Sequence, residues 1–352
     1  MAYSTIPKGS LYMNTKLYTG TGSTQSITGV GFQPDWTWLK KRSATGGQYL
    51  TDAVRGATKT LFVDATDIES TEAQVLQSFN TDGFTLGSDG VVNANNATFA
   101  SWNLKANGAG SANTDGSINS TVSVNATSKF SIVSYTSTGS NATIGHGLGV
   151  APKMIIIKRR SGSTQSWIVY HASLGATKTI KLNATAEEFT TSSVFNNTEP
   201  TSSVFSVGTS GDTNGGNSPF IAYCFAEVKG FSKIGSYKGN GNANGTFIYT
   251  GFKPAFVLIK NLFVSSNWNL KDNKRRTATT SVGGNQTDAV LLPNSNAADQ
   301  NANGLDLLSN GFKNRSTGSD VNSNGGTFAY IAFAEAPLVA NSGTDGVPAT
   351  AE

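Results

Sequence analysis

One cysteine, Cys224, stands in 352 residues, so no disulfide can close within the chain and a disulfide-stapled class is excluded. Histidine is almost as scarce. His146 and His171 stand alone, neither with a second histidine at zinc-ligand spacing, and both read as structural. Charged residues make up 14% of the chain, against a usual share of about 25%. The net charge of +4 is too mild to argue for nucleic acid, which would also want exposed aromatics among the charges. No apolar run approaches the roughly 18 residues of a membrane span, so no membrane insertion is expected. A Gly-x-Ser-x-Gly elbow is missing, and the Gly-x-Gly pairs at Gly20/Gly22 and Gly239/Gly241 precede strand patterns rather than helices. No cofactor is therefore expected. Sustained helical periodicity is also missing; residues 68–79, IESTEAQVLQSF, form the one stretch that reads as a short helix. The acidic residues Asp52, Asp64, Asp67, Glu69 and Glu72 lie in or near it and read as a solvated face rather than a catalytic carboxylate pair.

What the chain does have is repetition. GFQPDWTWLKKR (31–42) returns as GVAPKMIIIKRR (149–160) and as GFKPAFVLIKNL (251–262). A tyrosine precedes each proline and opens a turn: Tyr18, Tyr135 and Tyr237. Six residues after each proline comes a lysine: Lys40, Lys158 and Lys260. DGFTLG (82–87), SVFSVG (203–208) and NGFKNR (310–315) follow in the same order, and each unit closes on an apolar strand from Thr98, Pro219 or Thr327. The period is about 100 residues, long enough for a unit to bury its own core.

Short alternating runs between Gly/Asn/Ser/Thr turns predict an all-β fold of three tandem β-sandwich, jelly-roll-like domains. The boundaries are residues 1–14, an N-terminal docking segment; 15–106, the first repeat; 107–128, a linker; 129–230 and 231–338, the second and third repeats; and 339–352, a flexible tail. The linker is expected to be flexible in its first half, with STVSVNA (120–126) adding a strand to the second repeat. The second and third repeats are expected to touch and the first to sit more freely, because the former meet with almost no spacer. In the central strands Trp36 and Trp38, Met154 and Ile156 share a face with the lysine that follows. The lysine is expected to mark where each strand leaves the core.

Two sets of residues are candidate contacts. Lys40, Lys41, Arg42, Lys158, Arg159, Arg160, Lys274, Arg275 and Arg276 form a repeated basic patch suited to acidic polysaccharide or phosphate. The plainer alternative is strand-end charge that aids solubility and blunts edges. Ile6, Leu11, Tyr12 and Met13 give the N-terminal segment an apolar face for docking.

LYTGTGSTQSITGVGFQPDWTWLKKRS, DAVRGATKTL, NTDGFTLGS and HGLGVAPKMIIIK resemble a tandem domain of unknown function in bacteriophage virion proteins, over about residues 15–338. The second unit departs from the pattern at SVFSVG, where Gly-Phe would stand. The resemblance carries over no catalytic residue. It implies a non-enzymatic structural protein of the virion, made in the host cytoplasm, in a tail appendage, fibre or adaptor. Its implied partners are other virion proteins and host cell-surface glycan, and it implies a homo-oligomer. A capsid decoration or head-fibre protein, and a carbohydrate-binding module, are the alternatives.

Overall fold

The computed structural model describes residues 4–275 and 286–337; Arg276 and the expected tail at 339–352 lie outside the described residues. The chain is an all-β sandwich protein of several antiparallel sheets. The same strand order occurs in three stretches. In the first, strands Met13–Thr19, Thr98–Leu104, Trp36–Lys41 and Gln48–Asp52 lie side by side in that order. In the second the order is Phe130–Thr136, Pro219–Phe225, Met154–Arg159 and Ile168–His171. In the third it is Ser232–Lys238, Thr327–Pro337, Phe252–Asn261 and Trp268–Asp272. A smaller sheet accompanies each, built on the pairs Gln25–Thr28 with Gly83–Leu86, Ala142–Gly145 with Val204–Val207, and Phe247–Tyr249 with Gly311–Asn314.

The sequence landmarks do the same local work each time. Tyr18, Tyr135 and Tyr237 stack on Phe99, Phe220 and Phe328 at centroid distances of 5.1, 5.4 and 5.0 Å. Their hydroxyls donate to the carbonyls of Val92, Thr213 and Val321. The next residue, Asn93, Asn214 or Asn322, is fully buried and pins the turn after the tyrosine by accepting from Thr21 N, Thr138 N or Asn240 N. That turn needs a left-handed residue, and Gly22, Gly139 and Gly241 supply φ of +72°, +78° and +64°.

Alternation along the central strand divides the core. Leu39 faces one apolar cluster with Ile27, Phe84 and Leu86, while Ile155 and Ile157 face another with Ile144 and Phe205. The opposite faces of all three central strands meet in the middle of the molecule. There Trp36, Trp38, Met154, Ile156, Phe256 and Leu258 line a wholly apolar cavity of about 30 Å³. The atoms that face it are apolar, which disfavours water in a space of about one molecule.

Several expectations are corrected by this arrangement. The largest core is shared by the three stretches rather than private to each, and the first contributes Trp36, Trp38 and Trp102 to it. Residues 107–128 are not a free linker. The strand expected at 120–126 is present as Ser120–Asn125, paired with Phe130–Thr136, and the half expected to be flexible adds a further strand, Ser111–Asn113, to the same sheet. Buried Asp35 anchors the entry by accepting from Ala106 N and Gly108 N at 2.7 and 3.1 Å. Residues 68–79 form no helix; Ser70–Thr71 and Leu76–Asn80 are strands, the latter in a hairpin with Gly83–Leu86 that buries Phe84. Cross-strand pairing here outweighs a weak local helical preference.

Candidate functional site

Buried polar and charged side chains meet in the seams between the three stretches. Lys40, Lys158 and Lys260 are fully buried, on the same face as the central aromatic and aliphatic side chains. Each ammonium donates once to its own loop and once to a neighbour. Lys40 Nζ reaches Gly46 O at 2.7 Å and Asn296 O at 2.9 Å. Lys158 Nζ reaches Gln165 O at 2.5 Å and Thr66 O at 2.8 Å. Lys260 Nζ reaches Ser266 O at 2.6 Å and Thr185 O at 2.8 Å. The first stretch thus grips the third, the second grips the first and the third grips the second, which closes a ring. Burial lowers all three lysines from 10.5 to about 8.

Side chains opposite these lysines repeat the circuit. Gln48 Nε2 donates to Leu292 O, Trp167 Nε1 to Phe62 O and Trp268 Nε1 to Lys181 O, at 2.6, 2.8 and 2.8 Å. Again each bond crosses to the neighbouring stretch in the same rotational sense.

Two seams add a buried ionic network. Arg55 Nε donates to Asp52 Oδ2 at 2.5 Å, and Tyr223 from the second stretch donates to that same oxygen at 2.8 Å. Arg55 also meets Glu69, which Arg160 of the second stretch grips through two nitrogens at 2.8 and 3.0 Å. Burial raises the Glu69 carboxyl, but Arg160 and Arg55 outweigh it and hold the pKa below the ordinary value. In the other seam Arg275 Nε donates to Asp272 Oδ2 at 2.6 Å, and Trp102 Nε1 from the first stretch donates there at 3.0 Å. Arg275 then meets Asp299, which also takes Arg42 at 2.6 Å. Between the second and third stretches the corresponding positions differ. His171 replaces the aspartate and contacts Tyr330 O at 3.2 Å, with Leu174 and Leu262 packed in the core.

The basic patch is therefore not a surface. Lys40, Lys158 and Arg275 are buried, and Arg42 and Arg160 are committed to Asp299 and Glu69. Lys41 lies over the Phe99 ring and Arg159 over Phe220, each at 5.9 Å. Among the described residues of the patch, only Lys274 is exposed. The acidic cluster is likewise divided: Asp52 is buried in a seam rather than solvated. In the docking segment, Ile6 and Met13 are buried in the shared core and Tyr12 packs edge-on to Phe231 at 6.0 Å. Leu11 alone stays 38% exposed. Ile6, Tyr12 and Met13 thus cover the core of their own chain.

Both histidines are buried, and burial keeps them neutral, His171 lowered to about 4. Cys224 is fully buried, and burial pushes its thiol up, away from the reactive thiolate. Gln48, Trp167 and Trp268 were not among the residues the sequence singled out. Their signal was the position opposite the repeated lysine across a hairpin.

A family model described as Domain of unknown function (DUF7483) matches residues 8–337, so the chain belongs to that family. One model spans all three stretches, and its description names no activity or location. A search of curated proteins found no match.

Proposed function

We propose, with membership of a family of unassigned function as the premise, that this chain is a non-enzymatic structural protein of a bacteriophage particle. It would serve as a rigid three-part block in a tail appendage, fibre or adaptor. The phage setting rests on the resemblance of the repeated motifs. The observation that carries the structural role is the closed circuit of Lys40, Lys158 and Lys260, which devotes the most unusual buried groups to holding three sheets together. One chain thereby supplies a threefold-like arrangement that other proteins reach by associating three copies.

The outer surface supports a contact role. Phe247 and Tyr249, 43% and 58% exposed, flank Ile248 on an outer strand of the third stretch. The corresponding residues around Ile27 are Ser26 and Thr28, so one stretch carries an aromatic face that the first lacks. Such a face suits a neighbouring virion protein. Mass spectrometry of purified particles, with electron microscopy of particles labelled on this chain, tests the proposal. A fixed copy number and a defined position are expected; absence from particles overturns it.

A further inference from the structure

A polar pocket of about 280 Å³ lies between the N-terminal segment and the third stretch, lined by Lys8, Ser10, Asn14, Thr15, Asn273 and Lys274. Its chemistry is unbalanced. Lys8 and Lys274 are exposed, and among the described residues neither side chain meets a carboxylate. The nearest acid in sequence, Asp272, is already committed to Arg275, Trp102 and two backbone amides. Ser10, Asn14 and Asn273 add a hydroxyl and two amides to the lining beside the two ammonium groups.

We infer that this pocket binds the carboxylate or phosphate group of a small polar ligand of sugar size. Two ammonium groups supply the charge, and hydroxyl and amide groups supply directional bonds to an oxyanion and its carrier. The volume sits near the lower end for small-molecule sites. Lysines without acidic partners favour an anion over a neutral sugar. The inference does not depend on whether the protein is found on a particle.

Isothermal titration of the full chain with inorganic phosphate, glucuronate, glucose 1-phosphate and glucose tests it. The anionic probes are expected to bind at least about tenfold more tightly than glucose. Tighter binding of the sugar acids than of phosphate points to a glycan source, and the reverse to free phosphate. The double variant Lys8→Ala/Lys274→Ala should lose about tenfold or more for the anions while melting like the parent, since both lysines are exposed and neither is in an ion pair among the described residues. The idea is overturned if no anion binds below about 20 mM, or if the double variant binds as the parent does.

Discussion

The seams on either side of the first stretch carry buried Asp–Arg networks, whereas the corresponding positions between the second and third stretches carry none, the ion pairs of Glu227 with Lys153 and Lys233 lying at the chain junction instead. All three share the lysine-to-carbonyl bond and the same backbone contact: Glu69 N to Arg160 O, Asp299 N to Arg42 O and Glu188 N to Leu262 O. The side chains above that contact differ. Asp52–Arg55–Glu69–Arg160 and Asp272–Arg275–Asp299–Arg42 fill two seams, and His171, Leu174 and Leu262 stand in the third. One backbone solution is thus compatible with either a satisfied ionic network or an apolar fill. Charge at these positions is not required for closure. What is required is that no buried charge be left alone.

That comparison can be broken most severely by removing one member of a network. Arg275→Leu leaves Asp272 buried without its counter-ion and should cost about 3–5 kcal/mol in urea unfolding. Asp272→His combined with Arg275→Leu copies the third seam and should recover most of that loss. If the double variant is no more stable than the single, the two kinds of seam are not interchangeable. Trp36→Ala, which opens the shared core beside the central cavity, belongs in the same range, about 3–5 kcal/mol.

A smaller effect, on the order of 1–3 kcal/mol, is expected for Lys158→Met, which keeps the stem but strands the carbonyls of Thr66 and Gln165. The same substitution sharpens a pH test. Folded Lys40, Lys158 and Lys260 release their protons near pH 8, while the unfolded chain holds them to about 10.5. Between those values the unfolded state binds more protons, so stability rises with pH. Above about pH 10 the sign reverses, because unfolded tyrosines ionise while burial raises Tyr18, Tyr135 and Tyr223 well above their ordinary value. Calorimetry should show the melting temperature peaking between about pH 9 and 10, with a shallower rise in Lys158→Met. On the acid side, His171 is lowered to about 4, so its seam loses stability as pH falls below about 6.5. Hydrogen exchange should loosen first around residues 168–171 and 330. The smallest effect is expected for Phe263→Ser, at an exposed site, within about 0.5 kcal/mol.

The strands were legible because they depend on local alternation and turn residues. Tyr18, Tyr135 and Tyr237, the prolines before the central strands, and Phe84, Phe205 and Phe312 all mark real elements. The seams were not legible, because a lysine ending an apolar strand ordinarily carries its charge out to water. Lys40, Lys158 and Lys260 turn inward only because carbonyls from a distant part of the chain await them, and no local pattern reveals those carbonyls. The clue that existed was shared alternation: Trp36, Trp38 and Lys40 lie on one face, and so do Met154, Ile156 and Lys158. Separate domains were expected from repeat length alone, which says nothing about which faces remain apolar once each sandwich has formed.

The bond from Lys40 to Asn296 and that from Arg42 to Asp299 join positions 256 and 257 residues apart. During synthesis the N-terminal third therefore waits, its tryptophans exposed, until the last third has emerged. A protein that locks its first strands with its last is slow to finish and vulnerable while incomplete. Fragments ending before the third stretch should be captured by chaperones or precipitate.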